Sequence, residues 1–318
     1  MGGEWELNYF SLLCIEKVHK QYPPAIAKNH ELWEIIVKSL VHPHPWSKQV
    51  SSRIMNSFFL GMDPSELASM NGNFLVERPG SLYDIARNLC QQLDTDEECQ
   101  VDELSLLAIK NLVWIVRAMT ICPHLCFDSN AIDANNLPES TDDPPLQKHS
   151  KKDPVLWLMT RLSNIAKQSG SRRREAVFKC FAAFASSCAE VSLNPYLELM
   201  IEPINRAITE ASSKEDRRRM HRRQEEHDEA IIPKEALQLL EERCGTESFL
   251  NVLASVQSKA RTKREKRKQI IAAEAVQNPE AAAKRKLLKQ EREKQRRKRR
   301  IQDKKMVRSA HGKKARVS

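Results

Sequence analysis

Glycine is scarce, at 8 in 318 residues. Short strands need glycine and other turn residues to punctuate them, so this shortage argues against a sheet-rich fold. It also argues against a glycine-rich loop whose backbone amides could cradle a phosphate. The catalytic patterns G-x-S-x-G and H-E-x-x-H are absent as well. Aromatic residues stop at Phe249, leaving the last part of the chain without the rings that anchor a basic helix in a membrane surface. No run of about 18 uncharged apolar residues is present to span a bilayer. The start, Met1-Gly2-Gly3-Glu4-Trp5-Glu6, lacks the basic-then-apolar order of a secretory signal. The 8 cysteines follow no disulfide-framework rhythm. Free thiols in a reducing compartment are the expectation.

What is present is charge, unevenly placed. Residues 259–318 carry 24 Lys+Arg against 6 Asp+Glu, a net of +18, and residues 1–258 carry 28 against 36, a net of −8. The whole-chain value of +10 therefore hides an acidic body with a basic tail. Such asymmetry points to a polyanionic partner for the tail, usually nucleic acid.

The body reads as amphipathic helices separated by Pro- and Asn-rich breaks. Trp5, Tyr9, Leu12, Leu13, Ile15 and Val18 form one apolar stripe, ended by Tyr22-Pro23-Pro24. Leu32, Ile35, Ile36, Ser39 and Leu40 form the next, ended by His42-Pro43-His44-Pro45. Further helices are expected over 46–60, 82–93 and 104–119. Residues 128–152, rich in Asn, Asp, Pro and Ser, read as a linker. Asp153-Pro154 then opens a helix with a capping residue and proline at the first position. Val155, Leu158, Met159, Leu162, Ile165 and Ala166 follow at helical spacing. Val177, Phe181, Phe184 and Cys188 continue the pattern, as do Leu197, Met200, Ile201, Ile204 and Ile208. Paired helices of this length, none able to bury its apolar face alone, favour an all-α, HEAT-like helical-repeat solenoid end over a single bundle. Residues 213–243 are charge-dense. Residues 246–274 and 279–306 are strong helix formers broken at Asn278-Pro279. With few apolar side chains to dock it, the tail is expected to order fully only on a partner. The expected division is 1–127 repeats, 128–152 linker, 153–245 repeats with a charged helix, and 246–318 basic helical tail.

Two candidate metal or imidazole sites weaken on inspection. Cys122-Pro123-His124-Leu125-Cys126, with Cys90 or Cys99 as possible additions, offers one ligand cluster where structural zinc needs two. Core cysteines behaving as small hydrophobes are the favoured reading. His42, His44 and Trp46 around two prolines read as an inter-helix turn. No catalytic residue, metal or cofactor is expected.

The basic tail carries the binding expectation. Lys263, Arg264, Lys266, Arg267 and Lys268 form one cluster, and Lys284, Arg285, Lys286 and Lys289 a second. Arg292, Lys294, Arg296, Arg297, Lys298, Arg299 and Arg300 form a third. Charges spaced along a helix can track phosphates and release counterions. The arginine-dominated third cluster suits phosphate through its planar fork. Such contacts position a protein without reading sequence. The same runs also fit a nuclear import signal or a solvated face, and these readings stay open.

Several segments then resemble one known family. Leu156-Trp157-Leu158-Met159-Thr160-Arg161-Leu162-Ser163-Asn164-Ile165-Ala166-Lys167 is similar to a stretch near the C-terminus of the small-subunit processome component 20 (down-regulated-in-metastasis) family. So are residues 174–185 and Asn194-Pro195-Tyr196-Leu197 through Pro203. Glu247-Ser248-Phe249, Ala254-Ser255-Val256-Gln257 and Asn278-Pro279-Glu280-Ala281-Ala282 fall in the family's order. Glu4-Trp5-Glu6 and His42-Pro43-His44-Pro45-Trp46 do so upstream. The resemblance implies a non-enzymatic scaffold of the nucleus and nucleolus. It implies association with snoRNP-containing particles and processome proteins that process pre-ribosomal RNA toward 18S rRNA, with no membrane and no small-molecule substrate. The family protein is several times longer, so only its C-terminal end is implied here. The rival expectation is a helical transport or adaptor protein whose tail is only an import address.

Overall fold

The computed structural model describes residues 4–78, 80–93, 101–126, 153–168, 171–219 and 231–314. Among them the regular structure is all helical, without a strand. In chain order the α-helices are α1 (Glu4–Gln21), α2 (Pro23–Ala27), α3 (His30–Ser39), α4 (Pro45–Leu60), α5 (Phe74–Glu77), α6 (Ser81–Leu93) and α7 (Val101–Ile121). They continue as α8 (Pro154–Gln168), α9 (Ser171–Ser187), α10 (Glu190–Leu193), α11 (Leu197–Arg219), α12 (Ile231–Cys244), α13 (Thr246–Gln277) and α14 (Pro279–Lys314). Contacts divide the chain into two compact units, Met1–Val256 and Gln257–Ser318.

Local chemistry sets the helix starts. Pro23 and Pro45 stand in the first turns of α2 and α4, where a missing N–H costs nothing. Asn29, Asn73 and Asp153 each accept a backbone N–H of the following helix, from Leu32 at 3.1 Å, Leu75 at 3.0 Å and Leu156 at 3.0 Å. The cap expected at Asp153 is therefore in place.

Within the first unit the helices pack in two rows. Along one, α1 lies on α4, α4 on α7, α7 on α9 and α9 on α12. Along the other, α3 meets α6, α6 meets α8, and α8 meets α11. Contacts between α3 and α4, α6 and α7, α8 and α9, and α11 and α12 tie the rows together. One continuous apolar core runs from Leu12 to Val256. The linker expected over 128–152 lies outside the described residues, yet helices before and after it share this core. Tyr83 of α6 lies 4.0 Å from Trp157 of α8, ring centre to ring centre.

Some faces differ from the periodicity reading. On α1, Leu12 is buried but Val18 is exposed, and Glu16 and His19 point inward instead. Glu16 can be buried because Arg53 of α4 clamps it through Nε at 3.1 Å and Nη2 at 2.8 Å, with Lys20 at 3.1 Å. On α3, Ile35 is exposed while Trp33 is buried, its Nε1–H donating to the Ile26 carbonyl at 2.9 Å. The charge-dense stretch also contributes core: α12 buries Pro233, Ala236, Leu240 and Cys244 against α9 and α11.

Among the described residues one stretch, Glu103–Ile121 of α7, is long and apolar enough by composition to cross a membrane. Here α7 is the central helix of its row, lying between α4 and α9. Buried Asn111 donates to the Ser52 carbonyl at 3.1 Å and accepts from Asn56 at 3.1 Å. Such paired polar groups mark a core helix of a packed protein.

Candidate nucleic-acid interface

The second unit is built from the end of α13 and all of α14. From Gln257 to Gln302 none of the described side chains is buried, and only Ala260, Glu274, Ala281 and Ala282 are half-buried. Helicity there rests on propensity and on the junction. Asn278 donates its N–H to the Glu274 carbonyl at 2.8 Å, closing α13, and its own carbonyl accepts from Ala282 at 3.1 Å. Its side chain caps α14 by accepting the Ala281 N–H at 3.2 Å. Arg285 of α14 pairs with Glu274 of α13 across this junction. The structure thus turns a sequence break into a capped joint between two long helices.

Lys263, Arg264, Lys266, Arg267 and Lys268 stand on either side of Glu265 on the exposed part of α13. Lys284, Arg285, Lys286, Lys289, Arg292, Lys294, Arg296, Arg297, Lys298 and Arg299 stand exposed on α14. Arg300 continues α14, its side chain outside the described ones. The segment 284–300 is about 25 Å long at about 1.5 Å per residue. Chemically this is a rod of guanidinium and ammonium groups held in solvent, with Glu291 and Glu293 among them, its excess of cations suited to phosphate oxygens. The sequence reading passed over Ile270, Ile271, Val276, Leu287, Leu288 and Ile301, all exposed on the same helices.

The other candidates go elsewhere. Cys122 precedes a short 3₁₀ turn (Pro123–Cys126) and Cys126 ends it; both are buried, whereas His124 is exposed. Cys90 is buried in α6, and Cys99 lies outside the described residues. Burial pushes the Cys126 thiol up to about 12, with the Cys122 thiol adding to it, as for a thiol held in apolar surroundings. His42 Nδ1 accepts the His44 N–H at 3.0 Å, as a turn requires. The His44 ring stacks on Trp5 at 3.7 Å and 7°. The histidine-proline turn thereby fastens α1 to the start of α4.

Over residues 14–303 the chain matches the family described as small subunit processome component 20 homolog, C-terminal. It belongs to that family. The match takes in most of the first unit and the exposed basic helices alike. A curated relative, the U3 small nucleolar RNA-associated protein 20 of Schizosaccharomyces pombe (strain 972 / ATCC 24843), is 24% identical over 287 residues. The aligned part is 88% of this chain and 10% of that protein. This member of the component 20 family thus spans about a tenth of that relative's length.

Proposed function

We propose that this chain works as a non-enzymatic part of a small-subunit processome scaffold. Its place is the nucleolus, where pre-ribosomal RNA is processed toward 18S rRNA and the small subunit is assembled. The helical body (1–127 and 153–245, joined by 128–152) acts as the end of a HEAT-like solenoid that docks processome and snoRNP proteins. Of the basic tail expected over 246–318, the exposed part from Gln257 onward lies on pre-ribosomal RNA. Membership of the component 20 C-terminal family supports the setting. The RNA contact rests on one observation: the cations of 263–268 and 284–299 are exposed on two long helices. Many weak contacts, each needing the others, would hold RNA and protein in register.

The test replaces residues 259–318 with an unrelated nuclear import signal. Nuclear location should return while pre-ribosomal RNA processing stays impaired. Full rescue of processing would show that the tail is only an address. In vitro, the intact chain should lose RNA affinity steeply between about 50 and 500 mM salt, as phosphate contacts demand.

A further inference from the structure

Residues on an α-helix turn by about 100° each, so positions along α14 convert into directions around its axis. Lys289 and Arg296 share one side, and Lys294 and Lys298 share the opposite one. Lys286 with Arg297, and Arg292 with Arg299, fill the two directions between. All eight are exposed. A helix laid on a flat duplex face or beside a single strand meets phosphates on one side only. It would leave the cations on its far side in water.

We propose that α14 binds folded RNA from within: it occupies a groove or junction whose phosphate walls face it from opposite sides. This rests on the RNA reading above and adds the shape of the RNA. A helix with side chains is about 10–12 Å across. The major groove of regular A-form RNA is deep but narrow. A regular stem is therefore too tight, and an internal loop or bulge must widen it. Recognition is then by shape and phosphate position, and the bases need not be read. The arginines of the third cluster favour this site, since each guanidinium fork can grip a phosphate through two parallel N–H bonds.

The experiment uses the full chain and three labelled RNAs of equal length at about 150 mM salt: a hairpin with an asymmetric internal loop, a fully paired hairpin, and an unstructured strand. The looped hairpin should bind about tenfold more tightly than either of the others. Two double variants then probe opposite sides, Lys289→Ala with Arg296→Ala and Lys294→Ala with Lys298→Ala. Alanine keeps the helix. Each pair removes two phosphate contacts, and at a slope of about 0.9 per contact each should weaken looped-hairpin binding by roughly 10- to 30-fold. If one pair is silent, or if the three RNAs bind alike, the enclosed geometry is overturned while RNA binding stands. If none of the three RNAs binds, the RNA reading itself falls.

Discussion

Asp153 serves two segments at once, and a double-mutant cycle can separate the roles. Its Oδ1 accepts the Leu156 N–H at 3.0 Å, capping α8, while Oδ2 accepts the Tyr196 hydroxyl at 2.7 Å from the turn before α11. Losing a cap to alanine costs about 1 kcal/mol. A hydrogen bond to a charged group contributes about 1.5–3 kcal/mol, and the lower end applies because both side chains are half-buried. Asp153→Ala should therefore destabilise by about 2.5 kcal/mol and Tyr196→Phe by about 1.5 kcal/mol. The double variant should be little worse than Asp153→Ala alone, giving a coupling of about 1.5 kcal/mol. Burial first, then the Asp153 contact, holds the Tyr196 hydroxyl well above its ordinary range. The Tyr196→Phe loss should thus be unchanged up to about pH 9. Urea unfolding of the full chain, followed by ellipticity, measures all four species. Additive losses, with coupling below about 0.3 kcal/mol, would refute the shared-acceptor account.

Three further outcomes follow from the packing. Burial raises the Glu16 carboxyl, but hydrogen bonds from Arg53 and Lys20 outweigh it and leave it below the usual value. A depressed carboxyl stabilises above its unfolded value near 4.5 and loses that contribution as pH falls through the folded value. Arg53→Ala should cost about 2–3 kcal/mol at pH 7 in urea unfolding. The gap to wild type should narrow below about pH 4.5; a gap independent of pH would count against the pairing. Cys14 is exposed, whereas Cys90, Cys122, Cys126, Cys180 and Cys244 are buried. Cys188 is half-buried, so in a background of Cys99→Ser with Cys188→Ser a thiol reagent should find one fast group that Cys14→Ser abolishes. Among the described residues Val256 is the last buried side chain, and Phe249 sits below it in the same core. A chain ending at Val256 should melt within about 1 °C of the full one, whereas ending at Gly245 should lower Tm by roughly 10 °C, by calorimetry.

Helix identity was legible because apolar spacing and start signals are local. Asp153-Pro154 announces α8 in two residues, and the cap is there in the structure. The choice of face was less legible. α3 carries Leu32, Trp33, Ile35, Ile36 and Val37, so more than one stripe fits its spacing. Trp33 wins because distant groups receive it: the Ile26 carbonyl takes its N–H, and Phe74 stacks on it at 4.4 Å. Glu16 and His19 face inward for the same kind of reason, since the arginine that makes Glu16 tolerable comes from another helix. In α12 the core spacing of Pro233, Ala236, Leu240 and Cys244 is interleaved with charges that dominate any reading by composition.

The tail shows the converse. Charge needs no fold to be counted, so every cation of 263–268 and 284–300 could be named from the sequence. Direction around the axis follows from those positions once one helical phase runs unbroken from the first capped turn onward. Asn278 and Pro279 set that phase for α14. The described side chains of α14 make no buried contact that RNA would have to displace. Binding then opposes the entropy of ordering the helix with its long side chains and of association itself, but displaces no apolar burial. A packed helix with the same cations would have to give up apolar burial before phosphate could surround it. Exposure on every side is therefore the physical condition that makes an enclosing RNA partner favourable.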